Sequence, residues 1–279
     1  MSNVVATNVM ALNAQRNLNN NTMGLSTAME RLSSGLRVNS AKDDAAGLAV
    51  AERMNAQARG MNVAIRNASD AVSMVRTADG GMQQITDTLQ RMRELAVQSA
   101  NGTYSEDDRD LLNKEFTELQ AELGRIADVT QFNGINVLSE NNSTVFQVGA
   151  NTEDADRITV SFQNVKSFGG MASVLATATT IGGSTASASD SAIAAIDLAL
   201  DSINEQRATF GAAMNRFEAT ITNLRNAEEN QTAAMSRIMD ADFASETAAL
   251  TRGQVLQQSG IAILAQANQA PQAVLGLLR

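Results

Sequence analysis

The chain has no cysteine, no histidine and no tryptophan, and only one proline and one tyrosine among its 279 residues. Without thiols there are no disulfide staples and no thiolate metal sites. Without imidazoles there is no Ser-His-Asp or Cys-His catalysis and no histidine pH switch. Aromatic residues amount to 3%, so few large side chains can wall the kind of pocket that tunes paired carboxylates for acid–base work. Neither an enzyme nor a cofactor or metal is expected. No apolar run approaches the roughly 20 residues of a membrane-spanning helix. The opening MSNVVATNVMALNAQ lacks a basic region followed by an unbroken apolar segment, so no cleavable signal peptide is expected. Lys and Arg number 21 against 30 Asp and Glu, a net charge of −9 without basic blocks. Such a chain repels phosphate, which argues against nucleic acid as a partner.

What remains is 44% hydrophobic and rich in Ala, Asn, Gln and Met, a helical composition. Its charges are unevenly placed. From Met1 to Met29 the single charged side chain is Arg16, and from Gly253 to Leu278 there is none. Surface helices normally carry Lys and Glu on their outer face. A face of amides and hydroxyls is cheaper to desolvate than one of charges. Two uncharged segments at opposite ends therefore point to surfaces that end up against protein.

Apolar positions in these segments recur at helical spacing. Val5, Val9 and Leu12 form one stripe, and Leu18, Thr22, Leu25, Met29, Leu32 and Leu36 another. Val38-Asn39-Ser40 interrupts the pattern, and Lys42-Asp43-Asp44 offers caps for a second helix that runs to Asn101-Gly102. Leu112, Phe116, Leu119, Leu123 and Ile126 mark a third. The strongest periodicity runs through Ile193, Ile196, Leu200, Ile203, Arg207, Phe210, Met214, Phe217, Ile221, Leu224, Glu228, Gln231, Met235 and Ile238 in alternating steps of three and four. This seven-residue repeat describes a coiled-coil seam with three polar exceptions. Asp240-Ala241-Asp242 breaks it before the uncharged last segment.

Between the helical blocks lies a small β region. Phe132-Asn133-Gly134 is a turn signal. Val145, Phe146 and Val148, then Ile158, Val160 and Phe162, flank a polar loop and form a hairpin. From Ser167 to Ser191, 19 of 25 residues are Gly, Ser, Thr or Ala, which reads as an exposed, weakly structured connection. The acidic runs Glu106–Asp110 and Glu153–Asp156 lack calcium-loop spacing and read as solvated turns, the first at a helix start. Gly80-Gly81 inside a helical run marks a kink or a close approach between helices. The fold class is mainly α: a long antiparallel helical coiled-coil rod with a small β-hairpin region. A helix with such a stripe cannot hide it alone, and repeated contacts between copies give a ring, a bundle or, where they do not close, a filament.

Long matches then identify a family. MSNVVATNVMALNAQRNL at the start resembles bacterial flagellin, as do RLSSGLRVNSAKDDAAGLAVAERM at 31–54, QRMRELAVQSANGTYS at 90–105, QFNGINVL at 131–138, VGANT at 148–152 and ILAQANQAPQAVLGLLR at 263–279. The resemblance implies an extracellular structural subunit that self-assembles into the flagellar filament for swimming. Residues 1–41 and 241–279 would be the two parts of an inner terminal-helix domain. Residues 42–190 would hold the helices, hairpin and short tip of a second domain, and 191–240 its long C-terminal helix. Candidate polymerisation residues are Val5, Val9, Leu12, Leu18, Leu25, Met29, Leu256, Ile261, Leu264, Val274, Leu275 and Leu278. Implied partners are further copies of the chain, an export chaperone on the C-terminal segment, and the filament cap and hook-associated junction proteins. Family members leave the cell unfolded through the type III export channel, which accommodates an extracellular product without a signal peptide. QRMRELAV at 90–97 also resembles the stretch recognised by Toll-like receptor 5, implying a receptor surface at Gln90, Arg91, Leu95 and Glu115. The alternatives are a hook–filament junction protein, which shares flagellin-like ends, and a cytoplasmic signalling coiled coil, which would carry charged ends.

Overall fold

Ala, Leu, Met, Gln and Glu favour helix, and with a single proline little interrupts it. The computed structural model is accordingly 77% helical. It describes residues 7–176, 179–183 and 187–276, with side chains described as far as 269. The helices are α1 (Val9–Ser34), α2 (Ala45–Ala100), α3 (Glu106–Val129), the short α4 (Gly169–Val174), α5 (Ser187–Met239) and α6 (Phe243–Gly276). The strands are β1 (Gln131–Phe132), β2 (Ile135–Asn136), β3 (Asn142–Gln147) and β4 (Arg157–Phe162). Contacts divide the chain into a terminal unit, residues 1–57 and 229–279, and a central unit, residues 58–228.

In the terminal unit the sequence breaks fold as one clasp. α1 ends at Gly35, whose φ of 73° is the left-handed conformation that glycine adopts freely. The following Leu36 lies opposite Asp240 in an isolated antiparallel bridge. The Arg37 N–H donates to the Met239 carbonyl at 2.6 Å and the Ala241 N–H to the Gly35 carbonyl at 2.9 Å. Asp43 gathers the Ser40 N–H and hydroxyl, both at 2.9 Å. Asp44 then accepts the Gly47 N–H at 2.8 Å to start α2. Asp242 caps α6 in the same manner, taking the Ala244 N–H at 2.9 Å. Side-chain oxygens thus satisfy donors that a helix start leaves open.

The core sits in the central unit. α2 contributes Ala68, Ala71, Val75, Met82, Ile85, Leu89, Met92 and Leu95, and α3 contributes Phe116, Leu123 and Ala127, all buried. On α5 the buried positions form two parallel lines, Ile196, Ile203, Phe210 and Phe217, and Ala192, Ala199, Gln206 and Ala213. The other half of the expected seam, Ile193, Leu200, Arg207 and Met214, is half-buried. The buried stripe is therefore wider than a two-stranded seam and shifted toward the small alanines, because α5 meets several elements at once. The polar exceptions all have partners on α2. Arg207 donates to Asp79 at 2.9 Å, Glu228 accepts from Asn62 at 3.1 Å, and Gln231 donates to Gln57 at 3.2 Å. Each pair combines an early position on one helix with a late one on the other, an antiparallel register. Gly81 is a close approach: a Cβ there would stand 2.7 Å from Leu138 Cδ1 and 2.9 Å from Thr130, and α2 continues through it without interruption.

Asn133 and Gly134 both have positive φ, 48° and 78°, and join β1 to β2 as a two-residue turn of the primed type. β3 pairs antiparallel with β4 from Asn142 opposite Phe162 to Gln147 opposite Arg157. β4 alternates exposed and buried along its length. Its inner face stacks on α5: Phe162 lies 5.4 Å from Phe210 between ring centres, and Phe146 of β3 meets Phe217 edge-on at 5.6 Å.

Two expectations need correction. The described residues of Ser167–Ser191 are not the exposed, weakly structured connection expected. Phe168, Met171, Val174 and Ile181 are buried, and α4 packs so tightly on α5 that a Cβ on Gly170 would run into the Ala195 carbonyl oxygen. Small residues there permit close packing rather than looseness. Nor is all of the Glu106–Asp110 run solvated. Arg109 is 6% exposed, and its guanidinium donates to the carbonyls of Ser99 at 3.0 Å, and of Asn101 and Gly183 at 3.4 Å. A buried cation is tolerable when carbonyls at a helix end surround it.

Candidate assembly surface

α1 and α6 pack as an antiparallel pair whose register is fixed by polar contacts and small residues. The Asn8 amide donates to the Ala267 carbonyl at 2.7 Å and the Asn21 amide to the Gly253 carbonyl at 2.8 Å. Arg31 and Glu246 form an ion pair at 3.0 Å near the clasp. Gly253 and Gly260 let α1 come close: a Cβ on either would stand 3.1 Å from Leu25 Cδ1 or 3.2 Å from Leu18 Cδ1. Amides and glycines along most of the seam let two charge-poor helices pair, with the one charged contact, Arg31, answered by Glu246.

The seam hides little. Leu25 and Ala28 on α1 and Ala267 on α6 are buried, while Leu18 and Leu264 are half-buried. Val9, Leu12, Met29, Leu256 and Ile261 are exposed in the single chain. Val5, Val274, Leu275 and Leu278 lie outside the residues whose side chains are described. Met10, Met23, Phe243, Val255 and Ile263 are equally exposed and were absent from the candidate set. The scarcity of charge around Met10, Met23, Val255 and Ile263 was the signal that would have found them, whereas Phe243 stands among Asp240, Asp242 and Glu246. Among the described residues, ten of the seventeen exposed large apolar side chains belong to α1 and α6. Monomeric proteins rarely show apolar surface gathered in this way.

A second surface lies on α2 and α3. Arg91 donates through Nε and Nη2 to Glu115 Oε1 at 3.0 and 2.8 Å and through Nη1 to Glu94 at 3.0 Å. Glu115 first, and then Glu94, hold the guanidinium above its usual range. Beside it Arg93 binds Asp197 of α5 at 2.7 Å, which raises it likewise. The structure thus brings Arg91 and Glu115 into direct contact on an exposed face, with Gln90 exposed alongside. Leu95 is 1% exposed and packs beneath that face. Among the described residues no helix is long and apolar enough to cross a membrane.

Long helices and a charge-poor terminal pair with apolar side chains turned outward define a mainly helical protein. The sequence places it more closely: the chain belongs to the bacterial flagellin family. Residues 5–143 match the bacterial flagellin N-terminal helical region and residues 193–278 the bacterial flagellin C-terminal helical region. The chain is 46% identical over 277 residues to a flagellin of Halalkalibacterium halodurans, covering 99% of this chain and 100% of that one. It is 43% identical over 291 residues to the flagellar filament 33 kDa core protein of Treponema phagedenis, covering 99% and 100%. A putative flagellar hook-associated protein from Vibrio parahaemolyticus shares the fold, with a TM-score of 0.59 at 12% identity over 71% of this chain and 100% of that one. Flagellins are structural proteins of the flagellar filament.

Proposed function

We propose that this chain polymerises into an extracellular flagellar filament through its α1–α6 pair, and that the filament drives swimming. The observation that carries this is the gathering of ten exposed apolar side chains on two helices almost devoid of charge. Stacked copies would cover these side chains, and few charges would have to be neutralised. The candidate contact residues Val9, Leu12, Met29, Leu256 and Ile261 lie on that surface. An export chaperone would shield the C-terminal segment before release, and the filament cap and the hook-associated junction proteins would meet the two ends of the polymer.

The experiment removes about thirty residues from each end and examines concentrated protein by electron microscopy. The full chain is expected to form long tubular fibres and the trimmed chain none. Fibres of ordinary length from the trimmed chain would refute the reading. A signalling coiled coil would form no fibres in either case. A junction protein would be present in few copies per cell, whereas a filament subunit is abundant.

The Arg91 patch supports a second role, recognition by Toll-like receptor 5 through Gln90, Arg91 and Glu115, with Leu95 holding the helix face from below. Arg91→Ala with Glu115→Ala removes both halves of an exposed pair and leaves the core intact. Receptor signalling by the monomer should drop about tenfold, as at a charged hot spot. Undiminished signalling would rule out the patch.

A further inference from the structure

With no thiol in the chain, the thioethers are the sulfur groups open to oxidation. The methionines divide sharply by exposure. Met61, Met74, Met82, Met92 and Met171 are 6% exposed or less, and Met54, Met214, Met235 and Met239 are half-buried. Met10, Met23 and Met29 are 65%, 66% and 48% exposed. Among the described residues they are the exposed methionines, and all three lie on α1. None is a seam residue: Leu18, Leu25 and Ala28 fill the contact with α6.

We propose that Met10, Met23 and Met29 make the assembly surface oxidation-sensitive. A two-electron oxidant of the peroxide class converts them to sulfoxides and hinders addition of the chain to a growing polymer. The inference rests on the reading that α1 packs against other copies. In the chemical step a sulfur lone pair attacks one oxygen of hydrogen peroxide. The S–O bond forms, the O–O bond breaks, and the departing hydroxide takes the proton from the oxygen now bound to sulfur and leaves as water. Sulfur loses two electrons and peroxide gains them. A weakly polar thioether thereby becomes a strong hydrogen-bond acceptor, which is costly to bury among aliphatic neighbours such as Val9 and Leu12 unless a donor meets it. Because the seam holds no methionine, the monomer keeps its fold while its outward surface changes.

The test oxidises the full-length monomer with graded hydrogen peroxide, locates the added oxygen by peptide mass spectrometry, and follows seeded fibre growth by light scattering. Oxygen should appear on Met10, Met23 and Met29 before Met82, Met92 and Met171, with the helical circular dichroism unchanged. Growth should fall about tenfold and recover after treatment with methionine sulfoxide reductases. The triple variant Met10→Leu, Met23→Leu, Met29→Leu, compared with its own untreated rate, should lose less than about twofold. If that variant does not fold, Met23→Leu alone should still lessen the loss. Unchanged growth of protein carrying all three sulfoxides overturns this proposal and leaves the assembly reading standing. So does equal inhibition of the leucine variant. A full chain that forms no fibres before oxidation overturns the assembly reading, and this proposal with it.

Discussion

Asp108 is the clearest case of a single side chain holding local structure. Its carboxylate accepts the Ser105 hydroxyl at 2.7 Å and the Ser105 N–H at 3.1 Å, while its own N–H donates back to Ser105 Oγ at 3.2 Å. These bonds, the hydroxyl first, hold the carboxyl below its ordinary pKa. Ser40 lowers Asp43 in the same way, and Arg125 lowers Glu122. A carboxyl whose folded pKa lies below its unfolded value of about 3.9 contributes its full stability above that value. The contribution is lost as pH falls through the folded pKa. Thermal melts between about pH 5 and pH 2 should therefore show stability falling from about pH 4 downward. Ser105→Ala should cost about 1 kcal/mol at neutral pH and flatten part of that acid dependence. An unaltered acid profile would mean that Asp108 is not one of the groups responsible. The acidic helix start was legible in the sequence. The burial of Arg109 within the same run was not, since its guanidinium joins the end of α2, at Ser99 and Asn101, to the Gly183 carbonyl 74 positions away.

The elements follow the periodicity, but their packing departs from it where more than two helices meet. The alternating three-four pattern from Ile193 to Ile238 placed α5 correctly. It could not show that Ala192, Ala199 and Ala213 lie deeper than Ile193 and Leu200, because burial depends on what the hairpin and α4 bring to the same helix. Phe217 joins these layers: it is fully buried and stands edge-on to Phe146. Phe217→Ala should cost about 3–5 kcal/mol in denaturant unfolding. Leu256→Ala, at a position 53% exposed in the monomer, should change unfolding by less than about 0.5 kcal/mol. Similar losses from the two would contradict the division between a core in the central unit and an outward surface in the terminal one. The Ser167–Ser191 stretch carries the opposite lesson. Small residues denote looseness when nothing packs on them and closeness when something does, and composition does not distinguish the two.

For the whole molecule, the governing feature is the separation of the core from a charge-poor apolar surface. The central unit buries its large side chains within itself, so a chain trimmed at both ends should keep that unit's cooperative melting while losing fibre growth. The terminal unit spends its polar contacts on register, at Asn8, Asn21 and Arg31, and leaves its apolar side chains outward. Membership of the flagellin family over nearly the full length agrees with that division of labour.

The sequence by itself determined the helical composition, the caps, the longer β-hairpin and the turn before it, the charge-poor ends and the family, because each depends on residues close together in the chain or on long ordered matches. Tertiary structure alone decided which apolar positions face inward, that Arg91 meets Glu115 across two helices, and that three exposed methionines share α1. These depend on distances between segments far apart in sequence, and periodicity along one helix does not reveal which neighbour will cover it.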